Sequence, residues 1–172
     1  MTSFVHLRYL SLVVLMVLSG GLLAKGFDED FEEKPWEEVA VQLPPFPEEE
    51  DLLPFSVGAV HDTKYLIDAK SLSVGADGVI RYTLVVISSE GARNVSFEGM
   101  RCATAERRFY AFGRADKAWS KARTNQWGKI RGTSNNHHVE LYSNFFCSSG
   151  MLTAENPDDA RRVLRNGGNV RR

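Results

Sequence analysis

A turn dipeptide followed by nine residues that read as a strand constrains the fold more than any other feature of this chain. Asp77-Gly78 precedes Val79-Ile80-Arg81-Tyr82-Thr83-Leu84-Val85-Val86-Ile87. Six of the nine are β-branched, so their stiff χ1 angles favour an extended backbone. From 82 to 87 only Thr83 breaks an apolar run. A strand apolar on both faces must lie in the middle of a sheet and be covered on both sides. Ser89-Glu90-Gly91 makes the next turn, and Asn94 to Phe97 then alternates, with Val95 and Phe97 on one face. Tyr65-Leu66-Ile67 and Arg108–Phe112, the latter ending at Gly113, read as further strands. Connections this short join antiparallel neighbours.

The C-terminal part has helical spacing instead. Residues 115–132 form a polar connector carrying Trp119 and Trp127. Thr133-Ser134-Asn135 offers an N-cap for a helix within 134–147, whose Leu141, Tyr142 and Phe145 form an apolar stripe. A second helix is expected from Pro157, capped by Asn156, to Asn166, with Gly167-Gly168 stopping it and residues 169–172 left disordered. The expected fold is α+β: a twisted antiparallel sheet of about four to six strands, with the C-terminal helices packed on one face.

The N-terminus bears on compartment. Arg8 precedes the apolar stretch Leu10–Leu18, Ser19-Gly20-Gly21 breaks it, and Leu22-Leu23-Ala24 supplies a small residue for cleavage. Residues 1–24 therefore read as a secretory signal peptide, and export to the periplasm is expected. The alternative is an uncleaved membrane anchor, for which the apolar run is short. No cysteine lies near the cut, so the chain is not expected to be a lipoprotein. Cys102 and Cys147 are the only cysteines. In an oxidising compartment they are expected to form one disulfide, tying the end of the 94–102 strand to the end of the 134–147 helix.

Charge is segregated. Of 22 acidic residues, 11 lie in 28–51, whereas 52–172 holds 11 acids against 18 Lys and Arg, a formal +7. Five of the six prolines fall in 35–54. Residues 25–53 thus read as an acidic, proline-rich extended arm that does not pair in a sheet, and 54–168 as the domain. The arm is either a solvated tether or a set of aromatic anchors (Phe27, Phe31, Trp36 and Phe46) for a partner or for the domain's own groove. On the body, Arg101, Arg107, Arg108 and Arg114 interleave with Tyr110, Phe112 and Trp119, and Lys117, Lys121 and Arg123 follow. The candidate partner-binding residues are Phe31, Trp36, Phe46, Arg101, Arg108, Tyr110, Trp119 and Trp127. Basic residues among aromatics can bind nucleic acid, but an export signal argues for an envelope protein or an anionic envelope component instead.

Catalytic signatures are missing from the sequence. It has no G-x-S-x-G elbow, no phosphate-cradling glycine loop, no H-E-x-x-H and no C-x-x-C. His137, His138 and Glu140 do not share a helix face as zinc ligands would, and His138 falls on the core stripe. No metal or cofactor is expected. Asp68, Glu98 and Asp116 are the possible acid–base groups, with pairing to Arg81, Arg101 or Arg108 the commoner fate. The leading expectation is a non-catalytic binding or structural module. The alternative is a hydrolase of envelope polymer acting through Glu98 or Asp68, which requires two carboxylates beside an open cleft.

Several segments also carry a likeness. Pro54-Phe55, Ile67-Asp68, Ser71-Leu72-Ser73-Val74, Asp77 to Leu84, Asn94 to Cys102, Tyr110 to Gly113 and Phe146-Cys147 occur in this order. Over about residues 36–150 they resemble the family of exported bacterial proteins named for cryptic neisserial protein one, and the run 77–102 is the most specific. That resemblance implies compartment and fold and brings no catalytic residues with it. A fainter, fold-level similarity to the surface-adhesin E family implies an antiparallel sheet backed by helices, with surface binding as the role.

Overall fold

A computed structural model of the chain describes residues 35–58, 62–132 and 136–169. The expected signal peptide, Phe27, Phe31, the expected Thr133-Ser134-Asn135 cap and residues 170–172 lie outside the described residues. Trp36–Arg172 forms one compact unit. Residues 36–53 of the expected arm therefore belong to the domain itself.

The sheet is antiparallel throughout. Its strands are β1 Leu52–Phe55, β2 Lys64–Asp68, β3 Ser73–Val74, β4 Val79–Ile87, β5 Arg93–Arg101, β6 Glu106–Gly113, β7 Trp119–Lys121 and β8 Gly128–Lys129. The main path runs β1-β2-β4-β5-β6-β7, with β3 beside β4 and β8 beside β6. Six strands on that path match the upper end of the expected number, and two two-residue strands extend it. The long apolar run is β4, central as its composition requires, and it pairs with β5 over all nine residues, from Val79 opposite Arg101 to Ile87 opposite Arg93.

Two expectations need correction at the edges. Leu52 and Leu53 were assigned to an arm outside the sheet, yet they open β1, where Leu53 opposes Ile67. Pro54 is tolerated because β1 is an edge strand, where a missing amide donor costs no ladder bond. The connector 115–132 is not featureless either: it contains β7 and β8. Their brevity, three residues in β7 and two in β8, hides them from any periodicity.

The helices are α1 His137–Glu140, which runs into a π-helical stretch Leu141–Phe146, and α2 Pro157–Arg165. Asn136 caps α1 by accepting the His138 amide, one residue beyond the expected cap. The single α-helix expected here is mostly π-helical. Its wider i→i+5 turn lets Leu141, Phe145 and Phe146 all be buried. α2 begins and ends as its sequence requires. Asn156 accepts the Asp159 amide, and the Gly167 and Gly168 amides donate to Leu164 and Val163 in a Schellman closure. Asn169, expected to be disordered, donates its amide to the Asn144 carbonyl, 2.6 Å away.

Alternation in the strands divides the sheet into two chemically different faces. Ile80, Tyr82, Leu84, Ile67 and Met100 join Phe145, Phe146, Ala160 and Leu164 in the main core beneath the helices. Cys102 and Cys147 are bonded there, joining the end of β5 to the end of the π stretch. The opposite face carries Arg81, Thr83, Val85, Phe97 and Gly99, and segment 36–49 lies across it.

Candidate functional site

A bulge in β6 opens the basic face. Glu98 opposes Phe109 and Phe97 opposes Ala111, which leaves Tyr110 as the extra residue. Tyr110 turns its ring over Gly99 and beside Phe97, with centroids 5.5 Å apart. Gly99 is required there: a Cβ would lie inside van der Waals contact of the Tyr110 hydroxyl and 2.9 Å from its Cε2. The row continues through Trp119, 6.3 Å from Phe97, to Phe46 of the arm, 5.3 Å from Trp119. Trp119 Nε1 donates to the Pro44 carbonyl at 2.8 Å. This fixes the proline run against the ring.

Glu38 is the polar centre of the face. Its Oε1 accepts the Tyr110 hydroxyl at 2.5 Å, and its Oε2 accepts Trp127 Nε1 at 3.1 Å and an Arg108 guanidinium N–H. Arg81 stands 3.5 Å from Oε1. Burial raises the Tyr110 pKa, and the neighbouring carboxylate of Glu38 adds to the rise. Trp36 packs 3.9 Å above the Arg101 guanidinium and edge-on to Trp127, and its Nε1 donates to the Asp77 carbonyl. Asp77 does more than make the turn: its carboxylate accepts the Val39 and Val79 amides and the Arg81 guanidinium. Burial alone would raise its pKa, but the Arg81 hydrogen bond and the others outweigh burial and hold it below the usual carboxylate value. Further along, Glu48 pairs with Lys117, Glu49 with Arg93 and Asp51 with Lys70. These three pairs are largely exposed and are worth ~0–1 kcal/mol each, so the half-buried Glu38 cluster and the aromatic row hold the arm.

Seven of the eight expected partner-binding residues, all but Phe31, are thus brought together, and the occupant of their groove is the chain's own segment. Glu38 and Asp77 were missed as its organisers. Only the placement of Trp36-Glu37-Glu38 among prolines, opposite the alternating Arg108 and Tyr110, could have signalled them.

The expected acid–base groups are spent elsewhere, and none pairs with the arginines named for them. Asp68 accepts the Lys70 and Ser71 amides in a turn, and Asp116 pairs with Arg114. Glu98 is 1% exposed on the helix side. There it meets His138 Nε2 at 2.7 Å, Ser96 Oγ at 2.5 Å and Tyr82 Oη at 3.3 Å. Burial opposes its charge, but the His138 hydrogen bond, the His138 charge and Ser96 hold its pKa below the usual value. His137, stacked on Tyr65, is lowered to about 4, first by burial and then by the His138 charge. Neither Asp68 nor Glu98 faces an open cleft, as a hydrolase would need. No group of His, Cys, Asp and Glu among the described residues could hold a metal.

The sequence pattern of the CNP1-like family matches residues 31–165. The chain is 27% identical to cryptic neisserial protein 1 of Neisseria gonorrhoeae (strain ATCC 700825 / FA 1090), covering 84% of this chain and 87% of that protein. No solved structure matches it significantly. The order of motifs running from Asp77-Gly78 to the Cys147 disulfide, and the extent of the match, place this chain in the CNP1-like family.

Proposed function

We propose that the protein is an exported, non-catalytic binding module of the bacterial envelope, with an anionic envelope component as its partner. One observation carries this reading: of the seven described cations left without a carboxylate partner, four fall on one stretch of the chain. Arg81, Arg93, Arg108, Arg114 and Lys117 have carboxylate partners, as do Lys70, Lys129, Arg161 and Arg162. Seven cations have none among the described residues: Arg107, Lys121, Arg123 and Arg131 lie on β6 or in the connector that follows it, whereas Lys64 lies on β2, Arg101 at the end of β5 and Arg165 at the end of α2. Uncompensated cations gathered at one place attract polyanions, and attract them less as salt rises. The acid–base groups, by contrast, are consumed in turns and core contacts.

The test has two parts. N-terminal sequencing of the periplasmic fraction should find a chain beginning at Lys25. That chain should co-sediment with isolated peptidoglycan sacculi at 50 mM salt and be released at 1 M, where the Debye length falls to ~3 Å. A membrane-held form retaining Met1, or a chain that stays in the supernatant at low salt, overturns the reading.

A further inference from the structure

We propose that a hollow over β6 and β7 is a binding site for a carboxylate-bearing saccharide; this deepens the binding role above and rests on it. The hollow encloses about 510 Å³ at the β7 edge and shares Lys121 with the groove beside the arm. That volume is within the usual range for small-molecule sites. Its floor is Phe109 and Phe112, with ring centroids 5.2 Å apart. Both point to the helical side of the sheet, where Phe112 opposes Ser96 and Phe109 opposes Glu98. α1 reaches Phe109 through the His138 ring, 5.9 Å away, but Phe112 remains 44% exposed. An aromatic ring left open beside a polar rim presents a flat apolar surface to a ligand with one apolar face.

The rim determines the chemistry. Lys121 and Arg123 line the hollow and no carboxylate does. Neither cation makes an ion pair or side-chain hydrogen bond among the described residues. The Arg107 guanidinium lies 4.4 Å above the Phe109 ring and adds a third positive charge to the same floor. Thr124 and Gln126 supply neutral donors and acceptors between the cations. A pyranose matches each part. Its C–H face packs on Phe112, its hydroxyl or acetamido groups meet Thr124 and Gln126, and an acidic substituent meets Lys121 and Arg123. A plain hydrocarbon would leave the cations unanswered, and a bare inorganic anion would leave the rings uncovered.

The experiment uses the chain from Lys25 onward, labelled with 15N and 13C, and titrates it with N-acetylmuramic acid. N-acetylglucosamine, which lacks the lactyl carboxylate, is the control. Resonances of Phe112, Lys121 and Thr124 should shift saturably with the acid and weakly with the control. Phe112→Ser and the double variant Lys121→Glu/Arg123→Glu should each weaken binding about tenfold or more. All three positions are exposed, so the variants' melting temperatures should match the parent, and that match separates lost binding from lost folding. Three results overturn the site: no saturable shift, equal shifts from both sugars, or shifts that survive in the folded variants. A glutamate-rich peptide saturating the site where the sugar does not overturns it as well. If the variants still sediment with sacculi like the parent, this hollow is not the site although the binding role stands. If the parent itself does not sediment, the broader role fails.

Discussion

Replacing Glu38 tests whether segment 36–49 is held by one buried carboxylate or by diffuse charge attraction. Its side chain is 14% exposed, beside Arg81 at 7% and Arg108 at 21%. Glu38→Ala removes the acceptor for Tyr110, Trp127 and Arg108 at once and leaves the two guanidiniums facing each other across the gap. Losing one partner of a buried ion pair costs about 3–5 kcal/mol when nothing replaces it. Here Asp77 still neutralises Arg81 at 2.5 Å, and water can reach Arg108. A loss of about 3 kcal/mol follows, with a melting temperature lower by roughly 10 °C for a unit of this size. Glu38→Gln keeps the shape but aims an amide N–H₂ at one donor, so it should fall between the parent and Ala. Urea denaturation measures the loss, and a double-mutant cycle with Arg108→Met isolates the pair. Elastase cleavage after Ala40, in an arm that should now lift, gives a second readout by limited proteolysis. A loss below 1 kcal/mol with unchanged cleavage would refute the central role of Glu38. Sensitivity to 1 M salt as great as that of the parent's exposed pairs would instead point to diffuse attraction.

Three other perturbations probe different parts of the domain. The disulfide closes a loop of 45 residues, for which chain entropy gives ~4 kcal/mol, so Cys102→Ser and Cys147→Ser should destabilise equally and the double variant no further; two alkylatable thiols in the native protein would contradict the bond. His137 carries a pKa lowered to about 4 in the folded protein against an ordinary 6.5, so folding favours its neutral form. The stability it contributes is fully present above pH 6.5 and is lost as pH falls from there through 4. Glu98, whose folded pKa is also lowered, loses its contribution further down, as pH falls from its ordinary value of 4.5. With Glu98, His138, Tyr65 and Arg107 unchanged around it, His137→Gln should flatten the pH 4–6.5 part of an unfolding profile, and an unchanged slope would refute that assignment. Gly99→Ala should push Tyr110 off its place and free Glu38, lowering the melting temperature by several degrees; a neutral effect would show that the Tyr110 ring has room to move.

Local chemistry determined much of this protein. The β-branched run Val79–Ile87 could only be a covered central strand, and Asn156-Pro157 and Gly167-Gly168 set both ends of α2 through capping that needs no distant partner. The Cys102–Cys147 bond was legible because two cysteines allow one pairing. What lay beyond the sequence depends on contacts between residues far apart in the chain. Trp36 was recognisable as an anchor, but its seat on Arg101 and Trp127 exists only once the sheet has formed. Glu38 meets Arg108 and Trp127 across 70 and 89 residues, and no local period encodes such a meeting. The β6 bulge that aims Tyr110, and the π-helical turns that bury Phe145 and Phe146 together, are adjustments of backbone to packing. They follow from the need to fill a dense interior and to satisfy buried donors. Glu98 and His138 show the division most plainly. Each was visible as a titratable residue, and only the fold joined them, because a charge taken from water must find its partner in three dimensions.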